Sequence, residues 1–163
     1  SPTADHASVT ANYLLTHKDI KTVSAIYDVK NKAYTKDWLD DFTHTIEKHG
    51  GQLIKKKSFS SGNDFTFSSL ADELLIEEAD VIVLIVNSVD AALLAKHIRQ
   101  KKPQQLLATS EWAGTERLVE LGGRYVDNTV VPQYLNRDSI QSSIARNFGF
   151  TTDKRNVPPA EKA

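Results

Sequence analysis

The sequence predicts an α/β fold: a doubly wound, mainly parallel sheet of five strands in the order 2-1-3-4-5, with helices on both faces. Three observations carry this reading. Short β-branched apolar runs alternate with segments of helical periodicity five times along the chain. The run from Val81 to Val86 is apolar at every position, as a strand covered on both faces must be. No run of apolar residues approaches the ~20 needed to span a bilayer.

The elements follow in order. Val9, Tyr13 and Leu14 recur at helical spacing over Thr3 to Thr16, behind Pro2, with Thr3 or Asp5 as N-cap. Thr22 to Tyr27 reads as the first strand, and Asp28 to Ala33 as its loop. Trp38, Leu39, Phe42 and Ile46 share one helical face, with Thr35 as an N-cap candidate and Gly50 and Gly51 as the stop. Leu53 to Phe59 is a second strand. Its Lys55, Lys56 and Lys57 suit a sheet edge, where charge discourages pairing with another chain. Phe67, Leu70, Ala71, Leu74 and Leu75 follow Thr66 in the i, i+3, i+4 pattern of an amphipathic helix. After the Val81–Val86 strand, Ala91, Leu94, Ala95 and Ile98 carry a helix that closes with Arg99, Lys101 and Lys102 near its negative end and Pro103 beyond. Leu106 to Thr109 is a fourth strand, Thr115 to Leu121 a short helix ending at Gly122 and Gly123, and Thr129 to Gln133 a fifth strand after the Asp127-Asn128 turn.

Composition narrows the function. Of 163 residues, 40% are apolar and 25% charged, the balance of a globular domain rather than a disordered chain. A net charge of -1 without a clustered basic face argues against nucleic acid as a partner. With no cysteine, disulfides and thiolate metal sites are unavailable. The chain also lacks methionine, so we expect a processed product or an excised piece of a longer protein.

In such a sheet a ligand sits outside the carboxyl ends of the strands, so the loops there hold the candidates. They carry Asp28, Asn31 and Tyr34 after strand one; Asn87, Ser88 and Asp90 after strand three; Ser110, Glu111 and Trp112 after strand four; Pro132 and Tyr134 after strand five. Val29 to Thr35 has no glycine, which removes a dinucleotide loop. P-loop and G-x-S-x-G patterns are also missing. A phosphorylatable receiver would need an Asp where Asn87 stands and a lysine at the end of strand five. The five histidines never fall at i, i+4, so no metal site is expected. No catalytic residue and no cofactor is expected either. Glu111 beside Trp112 can receive a ligand ammonium, and Tyr34 offers a ring and a hydroxyl to a small amphipathic solute; a surface Glu near a helix start and a Tyr packed under its own loop are the alternative readings.

Several segments resemble the second lobe of Leu/Ile/Val-type periplasmic solute-binding proteins: Ser1-Pro2-Thr3-Ala4-Asp5 opening a helix; Ile26-Tyr27-Asp28 with Tyr34 behind it; and Ala79-Asp80-Val81-Ile82-Val83 before a helix bearing Ala91, Ala92, Leu93 and Leu94. The resemblance covers about Ser1 to Tyr134 and rests on segment order and spacing. It implies a flavodoxin-like lobe over residues 1–135, with a C-terminal helix, Asp138 to Phe148, and an irregular tail in 136–163 as the segment returning toward a first lobe. Val131-Pro132-Gln133-Tyr134 resembles a crossing between lobes. The implied function is extracytoplasmic binding of an amino acid or similar small polar solute for an ABC importer or a receptor sensor. The first lobe and a membrane permease or sensor are the implied partners, the location is periplasmic or extracellular, and there is no catalysis. Tyr34 falls at the family's ligand-contacting tyrosine and Glu111 at its ammonium-binding acid. Asn87 and Ser88 stand where an amino acid receptor can carry an aromatic, a departure that bears on the solute. Self-association of the isolated lobe is a further expectation. Two alternatives remain: an effector-binding lobe of a transcriptional regulator, which a helix-turn-helix upstream in the parent gene would decide, and a small flavodoxin-like flavoprotein, against which the missing phosphate loop counts.

Overall fold

The computed structural model describes residues 2–132, Asp64 excepted, with side chains from Ala7 onward. In chain order the elements are α1 (Pro2–His17), β1 (Thr22–Asp28), α2 (Lys32–Lys48), β2 (Gln52–Phe59), α3 (Phe67–Leu74), β3 (Val81–Ile85), α4 (Ser88–Lys101), β4 (Leu106–Thr109) and α5 (Thr115–Gly122). Short 3-10 turns follow β1 at Val29–Asn31, β4 at Glu111–Ala113 and α5 at Gly123–Val126. The strands form one sheet in the order β2-β1-β3-β4, and every pair is parallel.

The expected fifth strand is reduced to one parallel bridge, Val130 to Ala108, at the β4 edge. The Val130 N–H donates to the Leu107 carbonyl and the Thr109 N–H to the Val130 carbonyl, so Val130 holds the place of a fifth strand without extending it. The rest of that segment, from Gln133, lies outside the described residues, as do the return helix and tail expected over 136–163.

Burial explains the order of the strands. Every residue of β3 is buried, and a Val, Leu or Ile removed from water contributes about 1.5–3 kcal/mol, so β3 takes the centre. One face of the sheet packs Val23, Ala25, Val83 and Ile85 against Leu14 of α1 and Trp38, Phe42 and Ile46 of α2. The other packs Ile26, Ile82, Leu84 and Leu107 against α3, α4 and Leu118 of α5. β2 lies at the edge and its lysines are employed there: Lys55 pairs with Glu77 at 3.1 Å, Lys57 with Glu73 at 2.9 Å, and Lys56 stands 5.7 Å over the Tyr27 ring. The turn between α2 and β2 requires glycine twice. Gly50 has φ +85°, and a Cβ on Gly51 would lie 2.7 Å from the Ile46 Cγ2.

Two expected caps differ from what is observed. Thr35 does not cap α2; the helix starts three residues earlier, and the buried Thr35 hydroxyl donates to the Asp28 carbonyl at 3.0 Å. α1 starts at Pro2, which places Thr3 and Asp5 inside the helix. Proline suits a first turn because its missing N–H would have no partner there. Thr66 does cap α3, accepting from the Ser69 N–H at 3.1 Å.

Candidate functional site

Because all strands run the same way, the segments after β1, β2, β3 and β4 emerge at one end of the sheet. Tyr34 lies in the first turn of α2, Asn87 and Ser88 at the start of α4, and Glu111 opens the 3-10 turn after β4. Each is half-buried. The side chains at this end are organised in two groups.

The first group joins α2 to the turn after β4. Trp38 is fully buried and stacks on Phe42, with ring centroids 5.2 Å apart and planes 14° from parallel. Its indole N–H donates to Glu111 Oε1 at 2.7 Å. One helical turn before Trp38, the Tyr34 ring meets Trp112 edge to face, centroids 5.9 Å apart and planes at 83°. Residues four apart share a helix face, so positions 34 and 38 of α2 engage positions 112 and 111 as two parallel rungs. The product is an aromatic corner with a carboxylate beside it.

The second group joins the ends of β1, β2 and β3 and is built on two buried carboxylates, Asp28 and Asp90. Asp28 Oδ1 accepts from the Lys30 N–H at 2.9 Å and the Ser61 N–H at 3.3 Å. Asp90 Oδ2 accepts from the Ser61 hydroxyl at 2.6 Å and from Asn87 Nδ2 at 3.3 Å. Asn87 Oδ1 caps α4 by accepting from the Asp90 N–H at 2.9 Å. Asn87 is thus committed to shaping the start of α4, and Ser88 is the first residue of that helix. Among the described residues, no cluster of three or more His, Asp or Glu side chains could hold a metal ion.

Trp38 and Ser61 were not read as part of this end from the sequence. Trp38 carried one signal: it lies on the core face of an amphipathic helix, and a buried indole N–H needs an acceptor. Its acceptor is 73 residues away, beyond any local pattern. Ser61 lies past the end of β2 in a turn that local rules read only as polar.

Two surface concavities lie elsewhere. One, of about 590 Å³, is lined by Arg99, Pro103, Gln104, Leu106 and Tyr125, toward the amino end of β4. The other, of about 470 Å³, runs between α4 and α5 past Leu93, Lys96 and Leu121. Neither is lined by Tyr34, Asn87, Ser88 or Glu111.

Comparison with known proteins separates sequence from shape. No family model and no curated protein sequence matches the chain. Solved structures do match. The leucine-binding protein LivK of Thermotoga maritima superposes with a TM-score of 0.74 at 19% identity, covering 95% of this chain and 43% of that one. A putative branched-chain amino acid ABC transporter protein of Rhodospirillum rubrum gives 0.72 at 16%, covering 98% and 44%. A solute-binding protein of an R. palustris ABC transporter, in complex with benzoate, gives 0.70 at 13%, covering 96% and 42%. The chain spans less than half the length of each of these proteins. Similarity at this level of identity speaks to architecture, and the architecture is plain: the chain has the fold of a flavodoxin-like lobe of the periplasmic binding proteins.

Proposed function

We propose that this chain is the second lobe of an extracytoplasmic solute-binding protein, with its carboxyl end as one wall of a two-walled clamp for an amino acid or similar small amphipathic solute. The observation that carries the reading is the first side-chain group: the Tyr34–Trp112 corner with the Glu111 carboxylate beside it, held by Trp38. An aromatic corner takes an apolar body, and a carboxylate beside it takes an ammonium. The architecture supports the reading as well, since the matched proteins include one that binds leucine and one described as a branched-chain amino acid transporter protein. Benzoate in a third has no ammonium, so the fold accepts unlike solutes and the side chains on the rim decide among them. Glu111 repels an anionic head and favours a cationic one.

Such a wall performs no bond chemistry. It needs a first lobe to bury the other side of the solute and to receive its carboxylate, and a permease or sensor to read closure. Among the described residues no helix is long and apolar enough to cross a membrane. The location proposed is periplasmic or extracellular. The segment 136–163 is proposed as the return toward the first lobe.

Calorimetric titration of the chain with a panel of amino acids tests this. A lone wall leaves half the solute in water and Glu111 screened, so the expected dissociation constants lie above about 1 mM. Glu111→Gln should weaken amine-bearing solutes further. Micromolar binding, or millimolar binding indifferent to Glu111→Gln, would overturn the reading of this rim as half of a clamp.

A further inference from the structure

We infer that Trp38 is a positioning residue for the solute's ammonium group: it touches no solute itself but fixes the direction of the Glu111 carboxylate. The inference rests on the solute-binding reading of the rim. Trp38 has no room to turn, being fully buried and stacked on Phe42. Its N–H therefore points in one direction, and at 2.7 Å it takes hold of one chosen oxygen, Oε1, of a half-buried carboxylate on a separate segment. A hydrogen bond to an ionised acceptor is both short and directional, so the carboxylate plane follows the indole.

The neighbouring rung reinforces this. The contact of Tyr34 with Trp112 ties the residue after Glu111 to the same helix face, one turn from Trp38. Side chain and backbone of the acid are thus both referenced to α2, an element that packs on the core of the sheet. A charge held in one orientation by a rigid neighbour discriminates between ligand heads better than a mobile one. The buried indole thus acts on specificity for a cationic head, beyond general affinity.

The test follows backbone and indole signals of the 15N-labelled chain during titration with L-leucine and with 2-hydroxy-4-methylpentanoate, which replaces the ammonium by a hydroxyl. Trp38→Phe keeps a ring to stack on Phe42 and removes the N–H. It is expected to weaken leucine by about tenfold and the hydroxy analogue by less than about twofold, and to add nothing once Glu111→Gln is present. β-Benzothienylalanine placed at position 38, which preserves the bicyclic shape without the N–H, should do the same and separates lost packing from the lost bond. The chain has two tryptophans, hence two indole N–H signals. Glu111→Gln should move the Trp38 signal more than that of Trp112 in the absence of any solute. Equal weakening of both solutes by the position-38 variants, or an undisturbed Trp38 indole in Glu111→Gln, would overturn the positioning role. A leucine affinity untouched by Glu111→Gln would instead sink the solute-binding reading, and this inference with it.

Discussion

The two ends of the sheet use polar residues differently. At the amino end, side chains are bound to backbone. Asp80 Oδ2 accepts from the N–H groups of Lys21 at 2.7 Å and Thr22 at 3.1 Å, and the Asp80 N–H donates back to the Thr22 hydroxyl at 3.0 Å. The buried Arg99 donates to the Gln105 carbonyl through Nε and Nη2 at 3.1 and 2.9 Å, and through Nη1 to the carbonyls of Tyr125, at 2.9 Å, and Asp127. Gln105 Nε2 reaches the carbonyls of Ala79 at 3.3 Å and Leu106 at 3.1 Å. Burial pushes the Arg99 guanidinium down to about 10, against the pull of Asp127, which leaves it charged at neutral pH. At the carboxyl end some polar groups also bind backbone, as Asp28 and Asn87 do, but side chains meet side chains as well, at Ser61–Asp90 and Trp38–Glu111, and the Tyr34 and Trp112 rings are half-exposed. The amino end is finished by the chain itself, whereas the carboxyl end presents aromatic and acidic groups to whatever faces it.

If that division is right, variants at the two ends should separate stability from binding. The largest effect is expected for Arg99→Met, which strands three buried or half-buried carbonyls and unties the segment after α5 from the end of α4. Urea unfolding should show a loss of about 3 kcal/mol, with binding at the rim unchanged where the protein remains folded. A loss of rim binding in the folded variant would mean that the two ends are coupled.

Ser61→Ala should come next, at about 1–2 kcal/mol. It leaves the buried Asp90 with a weaker donor, Asn87 at 3.3 Å, and lets the segment after β2 part from the start of α4. Unlike the Tyr34–Glu111 group, this network is expected to matter for the shape of the rim more than for contact with a solute. Ser61→Ala should therefore cost stability and, in the folded protein, weaken leucine and its hydroxy analogue alike. A selective loss of leucine would move the ammonium site toward Asp90.

The smallest effect is expected for Asp80→Asn, and it carries a pH signature. Burial pushes the Asp80 carboxyl up, but the N–H groups of Lys21 and Thr22, the Thr22 hydroxyl and the Lys21 charge together hold it below the usual carboxylate range. Because the folded value is depressed, the stabilisation is present above the unfolded value of about 3.9 and is lost as pH falls through the folded value. The carboxylate is exposed, so the cost at neutral pH should be only about 0.5–1 kcal/mol. Thermal melts at neutral pH and near pH 2 should show a gap between variant and parent protein that closes in acid. A gap that persists in acid would assign the role to shape alone.

How much of this was legible in the sequence follows the reach of each interaction. The β3 strand declared itself because burial on both faces leaves no polar position. The β2 edge declared itself through its lysines, although their pairing with Glu73 and Glu77 did not. Tyr34, Asn87, Ser88 and Glu111 were legible as strand-end residues because parallel connection alone sends those segments to one end. Their division of labour was not legible. Asn87 serves as a helix cap through a local bond to Asp90 that the loop reading passed over, while Trp38 holds Glu111 and Ser61 bridges two acids through bonds between residues 29 to 73 apart. The fifth strand differs in extent because the β-branched pattern of Thr129 to Val131 reads as a strand, while among the described residues Val130 alone makes a bridge to β4.

The central claim, that the carboxyl end is the binding wall, is tested most directly by mapping where a solute lands. Amide shifts of the labelled chain with an excess of L-leucine should move at Tyr34, Trp38, Asn87, Glu111 and Trp112, with fitted dissociation constants above about 1 mM. Shifts confined to Arg99, Gln104 and Tyr125, around the concavity at the amino end of β4, would contradict it.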